Sequence, residues 1–179
     1  MQELIRVAVD AMGGDNAPAE IVKGAVEALK ASTDLKVSLV GQEEAVQQEL
    51  SKYQYDASRM EVVNATEIIK MAEPPVQAIR SKKDSSIVVA MKLVKNGEAD
   101  AFVGAGSTGA VLVGGQLIVG RLKGVERPPL APLLPTEKGA SLLIDCGANV
   151  DARPSHLVQF VKMGSIYMEN VMGVKNPRV

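Results

Sequence analysis

Glycines stand beside small polar residues in a loop that follows a short strand-like run. Residues 103–110 read VGAGSTGA, and Gly104, Gly106 and Gly109 have the G-x-G-x-x-G spacing of a dinucleotide-binding turn. Glycine admits positive φ and lets backbone amides approach a ligand, while the N-terminus of a following helix adds partial positive charge. The stretch therefore predicts a site for an anionic ligand.

The kind of anion depends on what accompanies these glycines. A dinucleotide site also needs a carboxylate about 20 residues further on, at the end of the next strand. Glu126 has that spacing but precedes an Arg-Pro-Pro sequence, and Asp145 closes a strand-like run much further along. A Walker A loop is excluded because no Gly-Lys-Ser/Thr sequence follows the glycines. Backbone amides with the hydroxyls of Ser107 and Thr108 instead suit a compact anion such as one phosphate.

Two more loops combine glycine with acidic or polar residues after strand-like runs. Residues 10–18 read DAMGGDNAP, with Gly13 and Gly14 at their centre, and residues 145–151 read DCGANVD. Open parallel sheets bind ligands outside the carboxyl ends of their strands. We predict that all three loops lie at one sheet edge and form a site there. Tight turns without a ligand are the alternative for each loop taken alone.

Residues 78–86, AIRSKKDSS, form a basic cluster just before a predicted helix. Its cations are Arg80, Lys82 and Lys83. They could hold an anionic substrate or face an acidic partner protein. The alternative is a solvated turn in which residues 84–86 cap the helix.

Two single residues raise further alternatives. His156 is the only histidine and hence the default general base, but its place in the first turn of a predicted helix equally fits a surface role. Cys146 is either a nucleophile or, in our preferred interpretation, a small buried residue beside a glycine. No set of His, Cys and carboxylate residues has a metal-ligand spacing, so we expect no metal and no other cofactor.

Composition narrows the function classes. The chain has 179 residues, 46% of them hydrophobic, which is enough for one domain with a substantial core. A net charge of −1 and 3% aromatic residues argue against a nucleic-acid partner. The single cysteine and the absence of a signal-like segment at the start predict a cytoplasmic protein, and no apolar run is long enough for a membrane span.

Strand-like runs alternate with helix-like segments along the chain, which predicts an α/β fold with a mainly parallel sheet covered by helices on both faces. The predicted strands are residues 5–9, 35–40, 60–63, 100–103 and 141–145. Four helices are predicted. The first follows the first loop, with an apolar face through Val22 and Leu29, and the second spans residues 42–52. The third begins at Ser86 as N-cap and stops at Asn96-Gly97, and the fourth begins at Pro154. The proline-rich residues 126–139 have extended or turn character.

Several of these segments together resemble one known family. They are DAMGGDNAP (10–18), the segment from Met71 through Pro75 to AIRSKKDSSI (78–87), GAGSTGA (104–110), GVERPPLAPLLPT (124–136) and DCGANVDARPSHLVQFVKMGSIY (145–167). They are similar to the bacterial phosphate acyltransferases of phospholipid synthesis, and the resemblance runs the length of the chain. This chain departs from the family at Ser107, where Asn is usual, and at Cys146, where an aliphatic residue is common.

The resemblance implies transfer of a long-chain fatty acyl group from acyl carrier protein to inorganic phosphate. The acyl phosphate then passes to a glycerol 3-phosphate acyltransferase. The resemblance also implies a three-layer α/β/α sandwich like that of isocitrate and isopropylmalate dehydrogenases, a homodimer and peripheral membrane association. We expect residues 1–179 to be the N-terminal part of a single acyltransferase domain, whose C-terminal remainder is absent from this chain.

Roles in such a reaction can be assigned from the residue types. Phosphate would be held by the loop residues Gly13, Gly14, Gly104, Gly106, Ser107, Thr108 and Gly109. Lys82, Lys83 or a residue of the absent C-terminal remainder would stabilise charge on the thioester oxygen. The whole basic cluster is the candidate surface for acyl carrier protein. The carboxylates Asp10, Asp15 and Asp145 repel a phosphate dianion, so they are interpreted as orienting residues. Asn149 completes the candidate catalytic residues Lys82, Lys83, Asp10, Asp145 and Asn149.

Three other functions remain open at this point. A phosphotransacetylase-like enzyme would use acyl-CoA in place of acyl carrier protein. A dehydrogenase of the same fold would bind NAD or NADP. A non-catalytic scaffold would bind the carrier without forming acyl phosphate.

Overall fold

A computed structural model describes residues 4–147 and 151–179 of the chain. The chain divides into two compact units, Met1–Gly120 and Arg121–Val179, here called unit 1 and unit 2. Asn149, one of the candidate catalytic residues, lies outside the described residues.

Unit 1 is built on a four-stranded parallel sheet. Its strands are β1 (Ile5–Asp10), β2 (Leu35–Gly41), β3 (Met60–Asn64) and β4 (Ala101–Val103), in the order β3-β2-β1-β4. Its helices are α1 (Ala19–Ala31), α2 (Glu43–Leu50), α3 (Pro75–Ser81), α4 (Ser86–Lys95) and α5 (Thr108–Gly114), and α5 continues into a π-helical turn, Gly115–Val119. The predicted strands over 5–9, 35–40, 60–63 and 100–103 are confirmed, as are the first two predicted helices.

Helices cover both faces of this sheet, and side chains that alternate along β2 are buried on each face. Val37 and Leu39 pack with Val26 and other apolar residues of α1 and α2. Val40 packs on the opposite side in a cluster that includes Ala90 of α4. The predicted three-layer α/β/α arrangement with a mainly parallel sheet is confirmed.

The strand order reverses beside β1. The chain passes from β1 to β2 and β3 on one side and then returns to place β4 on the other side of β1. Such a reversal separates the two loops that leave the adjacent strands and opens a crevice at their carboxyl ends. The crevice of unit 1 is therefore expected between the loops that follow Asp10 and Val103.

Unit 2 contains a hairpin and one long helix. Strands β5 (Leu133–Thr136) and β6 (Gly139–Leu142) pair antiparallel, and α6 spans Pro154–Asn170. The proline-rich segment thus supplies one strand of the hairpin, and Pro154 opens a helix as predicted. The predicted strand over 141–145 is wrong in extent and in pairing, because it ends at Leu142 and belongs to the hairpin instead of the parallel sheet. An apolar run does not by itself reveal its partner strand.

Two local predictions near the basic cluster also need correction. Ser85, not Ser86, is the N-cap residue of α4, and it makes no side-chain capping hydrogen bond; Ser86 is the first helical residue. The sequence analysis missed α3, a short helix whose first residue is Pro75, a position where a missing amide proton costs nothing. The predicted end of α4 is confirmed, since Asn96 is its C-cap and Gly97 has a φ of 73°.

Candidate functional site

The loops after β1 and β4 meet at the carboxyl ends of these two strands, where the crevice of unit 1 is expected. A side chain on Gly106 would place its Cβ 3.1 Å from the Gly13 Cα, and one on Gly13 would lie 2.9 Å from the Gly106 amide nitrogen. Gly14 has a φ of 103°, and a side chain on it would place its Cβ 3.3 Å from the Ala105 carbonyl oxygen. Glycine is required here because the two backbones touch. Two of the three predicted loops therefore share one sheet edge, whereas the third, after β6, does not follow a strand of this sheet.

The side chain of Asp10 lies beneath this contact and is 1% exposed. Its Oδ1 accepts a hydrogen bond from the Met12 amide at 3.1 Å, and the Gly13 amide and the Ser86 hydroxyl also donate to the carboxylate. Burial raises the pKa of Asp10, and these three hydrogen bonds partly offset the rise. The sequence analysis missed Ser86 as the partner of this carboxylate.

The start of α5 forms the second side of the crevice. Ser107 is buried, and its hydroxyl accepts a hydrogen bond from the Ala110 amide at 3.3 Å, so this side chain caps the helix. Thr108, the next residue, is exposed. A side chain on Gly109 would come within 2.7 Å of the Pro75 ring, so this glycine permits close packing between α5 and α3.

Backbone amides at the crevice differ in what they donate to. The Gly13 amide donates to Asp10. Among the described residues, the amides of Gly14, Gly106 and Thr108 donate no hydrogen bond to another protein group. Amides without a protein acceptor at a half-exposed loop are the groups that a small anion can engage.

The basic cluster separates into one paired and two exposed cations. Lys82 donates from Nζ to Glu73 Oε1 and to the Ile68 carbonyl, both at 2.7 Å. This pairing, with the Lys70 amide, holds the pKa of Glu73 below its usual value. Lys83 is exposed and reaches the Ile79 carbonyl at 3.3 Å. Arg80, also exposed, forms no ion pair within the described part of the chain.

Residues 84–86 do not cap α4 with their side chains, contrary to the alternative interpretation of the basic cluster. Asp84 accepts hydrogen bonds from the Thr66 hydroxyl and amide, at 2.5 and 2.9 Å, which lowers the pKa of the Asp84 carboxyl. The Ser85 hydroxyl donates to the Lys82 carbonyl at 2.9 Å. Asp84 and Ser85 thus bind the segment to its neighbours, whereas the buried Ser86 hydrogen-bonds to Asp10.

The remaining candidates lie elsewhere. Asp15 is exposed on the first loop. In unit 2, Asp145 has a φ of 66° and Cys146 is half-buried, with its amide donating to the Leu130 carbonyl at 3.0 Å.

His156 belongs to the first turn of α6. Its Nδ1 accepts from the Arg153 amide at 3.2 Å, and its Nε2 lies 3.3 Å from Glu126 Oε2. Both ring nitrogens thus have structural partners at the start of the helix.

Residues 4–147 and 151–179 contain no cluster of three or more His, Cys, Asp or Glu residues that could hold a metal ion. No helix within these ranges is long and apolar enough to cross a membrane.

Comparison with known proteins decides the family. The sequence pattern of the family described as "Fatty acid synthesis protein" matches residues 5–179. The chain belongs to this family. The phosphate acyltransferase of Clostridium beijerinckii is 52% identical to this chain over 175 residues, which make up 98% of this chain and 53% of the relative. The phosphate acyltransferase of Desulfitobacterium hafniense strain Y51 is 54% identical over 176 residues, 98% of this chain and 52% of the relative.

This chain spans about half the length of the curated relatives it matches. Two solved structures share its fold. A phosphotransacetylase from Streptococcus pyogenes has a TM-score of 0.67 at 19% identity, over 96% of this chain and 55% of that one. The EutD phosphotransacetylase from Staphylococcus aureus has a TM-score of 0.62 at 20% identity, over 96% and 54%.

Proposed function

We propose that the full-length protein moves a long-chain fatty acyl group from acyl carrier protein to inorganic phosphate. The acyl phosphate formed serves the acylation of glycerol 3-phosphate in phospholipid synthesis. Residues 1–179 are the N-terminal part of its acyltransferase domain in this proposal, and the protein is a cytoplasmic homodimer that associates peripherally with the membrane. The names of the relatives support phosphate as acceptor and an acyl group as the group transferred.

One structural observation supports the location of the proposed phosphate site. The loops of residues 10–14 and 104–109 meet at the point where the strand order reverses, with backbone amides that lack a protein acceptor. In open α/β sheets this is where ligands bind. A phosphate at this place would accept hydrogen bonds from the amides of Gly14, Gly106 and Thr108, next to the start of α5.

The chemistry needs positioning more than activation. Phosphate is already anionic near neutral pH, so one of its oxygens attacks the thioester carbonyl carbon once the two groups are held together. The new C–O bond forms, the C–S bond breaks, and the carrier leaves as a thiolate that then takes up a proton. The carbonyl oxygen becomes negative in the transition state and needs a donor or a cation beside it. Lys82 and Lys83 remain our candidates, and Lys82 would first have to exchange its contact with Glu73.

The proposed surface for the acidic carrier is the exposed side of α3. A shallow groove there is lined by Pro74, Val76, Gln77, Arg80 and Ser81. Arg80 and Lys83 are the exposed cations near it, and changing both to Glu should weaken carrier binding and flatten its salt dependence. Changing Lys23 and Lys30 of α1 to Glu serves as the control, because it reverses two exposed charges on a different helix. Unchanged carrier affinity after the double change would remove α3 from the interface.

A phosphotransacetylase-like reaction is the second candidate, since both solved structures of the same fold bear that name. It differs in the acyl donor, which would be acyl-CoA. One experiment separates the two. The full-length protein is incubated with phosphate and either long-chain acyl-ACP or acyl-CoA, and acyl phosphate is trapped with hydroxylamine. We expect trapped product with acyl-ACP and none without phosphate; product with acyl-CoA alone would favour the second candidate. NAD and NADP titrations should show no saturable binding.

A further inference from the structure

The carboxylate of Asp10 joins three segments that are far apart in the sequence. It accepts hydrogen bonds from its own loop, through Met12 and Gly13, and from α4, through the Ser86 hydroxyl. The loop after β4 closes over it, since a side chain on Gly106 would lie 3.4 Å from Asp10 Oδ2. Any movement of this carboxylate would therefore shift both loops of the proposed phosphate site.

Ser86 is placed to restrain the carboxylate. Asp10 and Ala8 share a face of β1 because side chains alternate along a strand, and Ala8 packs in the same cluster as Ala90 of α4. Ser86 begins that helix, and it is 1% exposed, like Asp10. A hydrogen bond to a buried carboxylate is stronger than one in water, and its loss leaves the carboxylate undersatisfied.

We infer that Ser86 is a positioning residue for phosphate, which acts through Asp10 to hold the loops of residues 10–14 and 104–107 at the spacing that the anion needs. The inference rests on the proposed function. Ser86 does not touch phosphate in this account, because its side chain is buried beneath the loops. Its effect should appear in phosphate binding and not in binding of the acyl donor, which meets a different surface.

The test compares two neighbouring serines in the full-length protein. Ser85 matches Ser86 in size, burial and place at the start of α4, but its hydroxyl donates to the Lys82 carbonyl. Ser86→Ala should raise KM for phosphate by up to about a hundredfold, since the energy of one hydrogen bond to a charged group sets the upper limit of an effect that acts through Asp10. Ser85→Ala should leave that KM unchanged, and both variants should keep the parental KM for acyl carrier protein. Ser86→Thr, which restores the hydroxyl, should recover phosphate KM.

Phosphate affinity is also measured by calorimetry, which separates this inference from the proposed function. If the parent forms no acyl phosphate, the proposed function fails, and the ratio of phosphate Kd values for the two alanine variants still decides the role of Ser86. If Ser86→Ala does not fold, Ser86→Cys replaces it, since its thiol keeps the volume with a weaker donor. Unchanged phosphate binding in the folded Ser86 variant would overturn the inference. So would an equal loss in Ser85→Ala.

Discussion

Unit 1 and unit 2 differ sharply in how much of their apolar surface they bury. Unit 1 has apolar clusters on both faces of its sheet, with Leu39, Val40 and Val46 fully buried. Among the described residues of unit 2, Phe160 and Met168 are the buried hydrophobic residues, whereas many large ones are exposed: Leu122, Leu143, Leu157, Val158, Val161, Ile166, Val171 and Val174. Exposed apolar patches of this kind mark surfaces that other groups cover.

This difference in packing determines how firmly each candidate residue is held in position. Asp10, Ser86, Gly13 and Gly106 are held in place by a packed sheet and by their own hydrogen bonds. In unit 2, Asp145 lines an open, mostly apolar cavity of about 650 Å³ between the hairpin, α6 and the last residues of the chain. A site needs rigid support to hold its groups in position, so the crevice of unit 1 is the better-supported site.

The largest effect expected from this difference is in the separate units. A polypeptide of residues 1–120 should fold cooperatively and protect the amides of β1 and β2 from hydrogen exchange, because it contains the packed layers. Residues 121–179 should exchange rapidly throughout, since so short a chain with so small a core cannot offset its conformational entropy. Strong protection of α6 in the isolated unit 2 would contradict the comparison.

A matched pair of leucines gives the next largest effect. Leu39 in β2 is 0% exposed and Leu157 in α6 is 54% exposed. In the 179-residue chain, Leu39→Ala should cost about 2–5 kcal/mol of unfolding free energy and Leu157→Ala about 0.5 kcal/mol or less. Urea titration followed by circular dichroism measures both values. Equal costs would mean that the packing of the two units does not differ as described.

Asp10 should give unit 1 a pH dependence of opposite sign to that of its paired surface carboxylates. Burial raises the Asp10 pKa above its unfolded value, so the folded state holds this proton more tightly, and the contribution to stability is lost as pH rises through the folded pKa. The free energy of unfolding of the parent, relative to Asp10→Asn, should therefore fall as pH increases from about 4, the unfolded pKa, towards neutrality. A relative stability that rises with pH over this range would show that the carboxylate is stabilised as the anion.

Asp56 should give the smallest effect and the opposite sign. Hydrogen bonds from Ser58 and Arg59 lower its pKa to about 2. Its contribution is present above the unfolded pKa of 3.8 and is lost as pH falls through about 2. The difference in Tm between the parent and Asp56→Asn should thus shrink between pH 4 and pH 2, and a constant difference would exclude this role.

Much of unit 1 could be predicted because its elements have clear periods. The runs that became β1 and β2 alternate with a helix whose apolar residues, such as Val22 and Leu29, recur at helical spacing. The helix α3 was missed because it is short and has prolines at its N-cap, Pro74, and at its first position, Pro75. The run after Gly139 resembled a buried parallel strand, and nothing local indicated that it would pair with the proline-rich segment.

The site could be predicted in part for a similar reason. Glycines after strands indicated that the two loops approach a common edge, but their mutual contact appears only once β4 lies beside β1. The hydrogen bond between Ser86 and Asp10 joins residues with no shared sequence pattern. The contact between Lys82 and Glu73 depends on how the segment before α3 folds back, which the sequence of the basic cluster does not indicate.

The central claim is that the crevice of unit 1 holds phosphate through backbone amides. Glycine-selective ¹⁵N labelling and titration with inorganic phosphate test it most directly, because the spectrum reports each glycine amide. The account predicts saturable shifts for Gly14, Gly104, Gly106 and Gly109, with Gly24 and Gly97 of the same unit unchanged. Saturable shifts confined to glycines outside the two loops, or no shift at concentrations that support turnover, would contradict it.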